Sequence, residues 1–360
     1  MFLSSKLPLV AVDIGSHSIK LAQIRYAFDR YELVSFGIMP LEPEVIVDGT
    51  IKDIDRLTET LLSLVKAEGV KSRYAISSVS GEAVIIKKIK MPAMSREELS
   101  EKIQEEAEKH IPFDIDDVTM DFQILRQPGQ TPGAAEDPTL ADKMEVLLVA
   151  VQKEIIDGRM EILEGAGLKP VIIDLDVFAM MNAVNMVENL EQLGCVALVD
   201  LGSCFTNINI VNRGFTHFTL DFRFGGFQCS GKLQSEFKIS PQEAEDLKQG
   251  KIPEAIDEEA VKRIIVESFD PIIGEVKSSI ESFESTENCS VGQVFLAGGG
   301  ALLNGIDLLF TDKLGLTTEI FNPFQTVKVD LKKFDAECVA ELAPLTAVAL
   351  GLAARRFDYR

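Results

Sequence analysis

Residues 10–20 read VAVDIGSHSIK and residues 197–207 read ALVDLGSCFTN. Each stretch is an apolar strand, then Asp, an apolar residue, Gly and Ser, then a second strand-forming run. The two copies lie about half of the 360-residue chain apart. Alternating apolar runs joined through a short Gly-Ser connection read as a β-hairpin. A pattern recurring at half-chain distance reads as a fold of two similar halves, each opening with that hairpin.

In each copy the strand delivers a carboxylate, Asp13 or Asp200, to its C-terminal end beside Gly15 or Gly202. A glycine there has no Cβ, so a ligand can approach the main chain. Turn N–H groups and the hydroxyls of Ser16, Ser18, Ser203 and Thr206 suit phosphate oxygens. Two carboxylates beside phosphates require a hard cation such as Mg²⁺ between them, held through water. Lys20 shares a strand face with Ser18 and can reach the phosphates as a point charge. Taken singly, D-x-G-S is also an ordinary turn composition. The duplication favours the phosphate reading.

The composition sets limits. Apolar residues make up 46% and charged residues 26%, which is globular usage. With 57 acidic against 36 basic residues, the net charge is −21. A field of that sign repels nucleic acid and anionic lipid, so neither is an expected partner outside a local basic patch. It also means that an anionic nucleotide must be held by short-range donors and a metal. The five cysteines are scattered without C-x-x-C, and the three histidines are dispersed. They read as reduced structural thiols and not as a zinc or disulfide framework. The N-terminal MFLSSKLPLVAVDIG is broken by Pro8 and Asp13, unlike a signal peptide. Apolar runs such as 146–151 are far below the ~20 residues of a membrane helix. A soluble cytoplasmic protein is expected, linked to a membrane only through a partner.

Along the chain, strands at 9–14, 18–26 and 31–39 form a meander, followed by helix 53–68, stopped by Gly69, and strand 72–79. A second unit reads strand 83–90, helix 95–110, strands 118–126 and 143–152, and helix 153–166. Ser95 and Glu98 make a capping box at the start of its helix. Residues 127–142, with three prolines and two glycines, are a surface excursion. Strand 169–175 and helix 176–190 lead into the second hairpin and a third strand at 214–222. Helices at 228–237, 241–249 and 257–287, strand 293–297, helix 301–312 and a buried helix 340–356 complete the chain, with Pro344 in the last helix's first turn.

Two glycine motifs need separating. Residues 226–233, GFQCSGKL, nearly match a P-loop, but Leu233 replaces the required hydroxyl and Phe227 and Gln228 are bulky. Gly298, Gly299 and Gly300 follow a strand and open a helix. They offer a close-approach surface for an adenosine or an α-phosphate, or else a tight packing turn.

VDIGSHSIKL, VDLGSCFTNINIV and VFLAGGGALLNGI, with helices 176–187 and 340–356 between and after them, resemble in order the five motifs of the actin-like ATPase superfamily. KKIKMPAMSREELSEKIQEEAEKHIPFDIDDVTMDFQIL resembles the PilM form of the 1C subdomain that PilM and FtsA share. No amphipathic helix follows Arg356, which favours PilM over the FtsA pattern. The resemblance implies an α/β, actin-like (ribonuclease H-like), duplicated two-domain fold with an inserted 1C subdomain. Domain 1A would comprise 1–81, 169–194 and 340–360, 1C would be 82–168, and domain 2 would be 195–339.

The same resemblance implies ATP and Mg as ligands. Asp13, Gly15, Ser16, Ser18 and Lys20 would form the first phosphate site, and Asp200, Gly202, Ser203 and Thr206 the second. Gly225 and Gly226 would lie near the nucleotide, Glu245 and Lys248 at the ribose, and Gly298–Gly300 at the adenosine. By spacing alone, Glu245 and Lys248 are an ordinary surface ion pair. Asp176 would orient or deprotonate the attacking water; otherwise it is an N-cap. His17 is expected to point to solvent. The implied role is an ATP-binding scaffold of the type IV pilus inner-membrane platform with slow or negligible ATPase. Its implied partner is the cytoplasmic N-terminal peptide of a PilN-like protein, held between the first domain and 1C. Ile85, Ile86, Ile89 and Met91 could line that groove, although a buried strand face is the better reading. An FtsA- or MreB-like filament protein is the alternative, and a small-metabolite kinase the least favoured.

Overall fold

A computed structural model describes residues 9–28, 30–126, 143–287 and 289–355. The 127–142 excursion, the first eight residues and the FDYR tail lie outside these. The chain forms two compact units, Glu82–Met160 and the remainder.

The larger unit begins with β1 (Leu9–Ile14), β2 (Ser18–Ala27) and β3 (Arg30–Pro40), the expected meander. A short ladder of β4 (Ile46–Val47) and β5 (Thr50–Ile51) precedes α1 (Ile54–Ala67) and β6 (Tyr74–Val79). Asp53 caps α1 by accepting from the Arg56 N–H, which satisfies one of the orphan donors of the first turn.

The smaller unit holds β7 (Val84–Pro92), α2 (Arg96–Ala107), β8 (Val118–Arg126), β9 (Lys143–Gln152) and the start of α3 (Lys153–Gly165). Its sheet order is β7-β9-β8. The capping box is present: the Glu98 N–H donates to Ser95 Oγ and the Ser95 N–H to Glu98 Oε2. Ile89 and Met91 are buried with Leu99 and Ile103, and Ile85 packs on the same cluster, so these three form the strand's inner face. Ile86 alternates to the other face.

Returning to the larger unit, β10 (Lys169–Leu175) leads to α4 (Asp176–Val187) and the single turn α5 (Leu190–Leu193). Next come β11 (Cys195–Leu201), β12 (Thr206–Asn212) and β13 (Phe215–Phe222), then α6 (Gly226–Phe237), α7 (Pro241–Lys248) and α8 (Glu258–Glu287). The chain ends with β14 (Gln293–Ala297), α9 (Ile306–Leu314), β15 (Thr317–Ile320), β16 (Val327–Lys328), α10 (Ala336–Leu342) and α11 (Ala347–Ala354).

The duplication holds strand for strand. One sheet runs β3-β2-β1-β6-β10 and the other β13-β12-β11-β14-β15, with β16 added at the β3 edge of the first. In both, the first three strands are antiparallel and the last two join in parallel. Two-residue periodicity then sorts the side chains. Val10 and Val12 of β1 pack with Leu57 and Leu61 of α1, whereas Leu9 and Ala11 face Ala179 of α4 and Val348 of α11. In β11, Val199 and Leu201 pack with α6 and α8, whereas Val196 and Leu198 face Met180 and Val184 of α4. Helix α4 therefore lies between the two sheets. Asp13 and Asp200, next in the α4-facing series of each strand, point into that shared layer.

The terminal helix departs from expectation. Residues 340–356 do not make one helix: α10 ends at Leu342, a 3₁₀ turn covers Ala343–Thr346, and α11 follows. Pro344 has no N–H and crowds the preceding turn. The break turns its carbonyl to the Gly298 N–H at 2.9 Å. The stretch Ala336–Ala354 is long and apolar enough to cross a membrane, but it is 56% buried within the fold. Nor does a helix start at residue 301. Gly299–Leu302 is a 3₁₀ turn, and Gly305, at φ +75°, sets the entry of α9.

Helices α4 and α11 cross at Gly351, where a Cβ would lie 1.7 Å from the Ala179 carbonyl oxygen. The obstacle is backbone, so one helix must move. Gly351→Ala is expected to cost about 1–3 kcal/mol through overpacking, measured as a fall in the denaturation midpoint with unchanged m-value.

Candidate functional site

The site is assembled from the two hairpin turns and the start of α4. Antiparallel pairing sets Lys20 opposite Asp13, and Lys20 Nζ lies 3.1 Å from Asp13 Oδ2 with both side chains buried. The same ammonium lies in the fields of Asp200 and Asp176. Burial alone would push it down, but these carboxylates outweigh burial and hold it above its ordinary value. One cation thus contacts the carboxylate of the first hairpin and lies within the fields of that of the second and of the first residue of α4.

Asp200 is the perturbed member. Burial first, then Asp176, Asp13 and Asp221, raise its carboxyl to about 7 against the opposition of Lys20. One unit charge does not neutralise this many carboxylates, which makes the centre a place where a further cation is stabilised. Among the described residues no group of three or more His, Cys, Asp or Glu could hold a metal by itself. The residues present fit a cation that arrives with oxygen ligands of its own.

The turns have the same construction. The Gly15 N–H donates to Ser18 O at 3.1 Å, and the Gly202 N–H to Phe205 O at 3.0 Å. A Cβ on Gly15 would stand 2.9 Å from Lys20 Nζ, and one on Gly202 2.6 Å from Phe205 O. Ser16 and Ser203 lie half-exposed in these turns, Ser18 is buried, and His17 is exposed at the first. Thr206 is fully buried and its hydroxyl donates to Phe224 O at 2.7 Å, so that group is already engaged.

Around the second turn the glycines act as close-approach surfaces. The N–H groups of Gly226 and Phe227 donate to the carbonyls of Gly202 and Ser203, pinning the first turn of α6 onto the hairpin. A Cβ on Gly225 would meet Gly202 O and Ser203 O at 2.5 Å. Residues 226–233 are thus helix and not a phosphate loop. Gly298, at φ +84°, lies against Asp200: a Cβ would sit 2.2 Å from Asp200 Oδ1. A Cβ on Gly300 would meet that of Leu201 at 2.7 Å, while Gly299 has ordinary clearance.

Glu245 and Lys248 are not a surface pair. The Lys248 ammonium, its side chain 12% exposed, contacts Glu245 at 2.8 Å, Ser230 Oγ at 2.9 Å and Gly226 O at 3.3 Å. Ser230 also donates to Glu245. Burial pushes the Glu245 carboxyl up, but Lys248, Ser230 and His17 outweigh it and hold it below the usual range. His17, on the first hairpin, is exposed as expected, and its influence on Glu245 is the smallest of these.

Asp176 is the first residue of α4 and not its cap. Leu175 holds the cap position without a side-chain bond. A carboxylate in the first turn gains from the helix dipole, and here it also faces Lys20 and Asp200.

Three contributors escaped the sequence reading. Asp221 accepts from the Gly81 N–H at 2.7 Å and is raised by burial, despite bonds from Asn207 and Gly81. Asn209 donates to Val177 O at 3.0 Å, tying β12 to the start of α4. Phe205 occupies the space where Gly49 would carry a Cβ. The available signal was Asn207 and Asn209 alternating with Ile208 and Ile210, a strand with one polar face turned inward.

Residues 11–357 match the family model described as type IV pilus assembly protein PilM. A solved PilM-PilN type IV pilus biogenesis complex contains a chain 27% identical to this one, with TM-score 0.83 over 97% of this chain and 98% of that one. The ethanolamine utilization protein EutJ of Escherichia coli (strain K12) is 28% identical over 151 residues, 42% of this chain and 48% of that protein's length. MreB5 of Spiroplasma citri, solved bound to AMPPNP, shares the fold at TM-score 0.51 and 15% identity, over 96% of this chain and 94% of its own. The fold is actin-like, and the chain belongs to the PilM family of type IV pilus assembly proteins.

Proposed function

We propose that this protein is an ATP-binding scaffold of the type IV pilus inner-membrane platform. Asp13 and Asp200 face one triphosphate and its Mg²⁺ through water, and the turns at Gly15–Ser18 and Gly202–Ser203 approach its oxygens. Lys20 serves as the fixed counter-charge. Gly225, Gly226, Glu245 and Lys248 bound the ribose side, and Gly298–Gly300 the adenosine side. In this reading 1–81, 169–194 and 340–360 form the first lobe, 195–339 the second, and 82–168 the insertion. The observation that carries it is the single cluster of Asp13, Lys20, Asp176 and Asp200, drawn from both duplicated hairpins and the helix between them.

Phosphoryl chemistry here would need little from the protein beyond position and charge. Asp176 is the one carboxylate at the head of α4 that could orient water. Turnover is slow or negligible, and nucleotide acts mainly by favouring one arrangement of the lobes. The partner is the cytoplasmic N-terminal segment of a PilN-like protein. This reading is supported by the solved relative, which is a PilM-PilN complex; with such a partner the protein would be cytoplasmic and peripheral to the inner membrane.

Mg-ATP at about a hundred times its Kd contributes about 2.7 kcal/mol, so the thermal midpoint is expected to rise by several degrees. Asp13→Ala and Asp200→Ala should each abolish the rise. The full chain should also capture a PilN-like N-terminal peptide in a pull-down. Equal stabilisation of parent and variants would remove the site assignment, and failure of the peptide alone would remove only the partner.

A further inference from the structure

The end of the first sheet opposite the Asp13 turn carries a second polar site. β2 is ten residues long, so its far end lies about 30 Å from that turn. There the β2–β3 hairpin, the C-terminal half of α4 and the end of α11 enclose a cavity of about 620 Å³. Its lining includes Tyr26, Arg30, Tyr31, Asn182, Met186 and Arg355, and among the described residues that line it there is no carboxylate. On a chain of net charge −21, two guanidiniums line this one space, Arg355 paired with Asp174 and Arg30 without an ion pair among the described residues, which makes it locally less acidic than the chain as a whole.

Four details make it a binding site and not a gap. Asn182 Nδ2 is buried and has no hydrogen-bond partner among the described residues, a costly state for a donor unless something in the cavity accepts from it. Arg355 Nε lies 3.0 Å from Asp174 Oδ2, an ion pair made on the Nε side that leaves the terminal nitrogens to meet an oxyanion. Arg30 makes no ion pair with any described residue. Tyr26 and Tyr31 stand edge to face at 5.1 Å and, with Met186, give an apolar wall for the body of a ligand.

We propose that this cavity binds a phosphoryl group carried on an organic body, with Arg30, Arg355 and Asn182 as donors to its oxygens. Three donor groups offer more hydrogen bonds than one carboxylate can accept, whereas a phosphate monoester or diester presents enough acceptors. The group reaches the site either on a soluble ester or on a phospholipid headgroup. Phe28, 90% exposed at the tip of the same hairpin, separates these sources: it would enter a lipid surface and would not touch a soluble ester.

The chain has four tyrosines and no tryptophan, so tyrosine fluorescence reports on Tyr26 and Tyr31. Titration with butyl phosphate is expected to give a saturable change, weakened at least tenfold by Arg30→Ala and by Asn182→Leu. In a second arm the full chain is sedimented with phosphatidylglycerol vesicles and with phosphatidylcholine vesicles. Binding to the anionic vesicles that Arg30→Ala and Phe28→Ser both remove assigns the headgroup. Binding of butyl phosphate that Arg30→Ala weakens and Phe28→Ser leaves unchanged assigns a soluble ester. Arg30 is exposed, so its variant should fold, and an unchanged thermal midpoint checks this. No binding in either arm, or binding that Arg30→Ala leaves intact, overturns the proposal.

Discussion

Lys20→Met is expected to remove about 3–5 kcal/mol of folding stability, a fall in Tm of roughly 5 °C. The side chain it replaces is buried at 3.1 Å from Asp13 and acts on Asp200 and Asp176 as well. Methionine fills much of the same volume, so the loss reads the charge and not a cavity. Without the ammonium, the buried carboxylates repel one another with no cation among them, and the fold must protonate them, admit water or open. The loss should therefore grow with pH. Asp13→Asn in the same chain should restore part of the stability, because it removes one of the charges that Lys20 was balancing. Denaturant unfolding of the parent, both single variants and the double variant gives this coupling directly. If Lys20→Met falls within 1 kcal/mol of the parent, the four groups do not form one electrostatic unit.

The parts of this site that sequence made legible are those built by neighbours in the chain. An apolar strand ending in Asp-x-Gly-Ser specifies its hairpin locally, and two-residue periodicity decides which face the carboxylate takes. Because the pattern occurs twice, two similar halves, each opening with a hairpin, could be anticipated. The α2 capping box was legible for the same reason, since its two bonds span three residues. What stayed hidden depends on partners far away in sequence. Thr206 has the expected position, but a carbonyl 18 residues on takes its hydroxyl. Pro344 suits the first turn of a helix beginning at 340, yet the helix already under way ends at Leu342, Pro344 lies in the 3₁₀ turn that follows, and its carbonyl meets Gly298. Asp221 lies in FTLDF, where no motif marks it, and its role emerges only when Gly81 arrives beside it. β15 and β16 are four and two residues long, too short for periodicity, and exist because a sheet edge was there to pair with.

Asp200→Asn should make the nucleotide-free protein more stable at pH 8 while abolishing its response to Mg-ATP. The parent carboxyl stands at about 7 in the folded state, raised from an ordinary 3.8 by burial and by three neighbouring carboxylates, net of Lys20. Between these values the folded protein keeps a proton that the unfolded chain releases. The associated stability is fully present below about pH 4 and is lost as pH rises through 7. A shift of that size corresponds to on the order of 4 kcal/mol. Asparagine keeps the shape and stays neutral, so its unfolding curve should lack this slope and cross above the parent's as the carboxylate ionises. With Mg²⁺ and nucleotide bound, the order reverses, because the ion favours the charged form that the empty site resists. The parent should then release close to one proton on binding at pH 6, seen as a calorimetric enthalpy that depends on the buffer's own ionisation heat. The variant should show neither the proton release nor the gain in midpoint. Parallel pH–stability curves for parent and variant would mean that Asp200 is already ionised in the empty cleft, and a stability gain without loss of the Mg-ATP response would separate its charge from ligand binding.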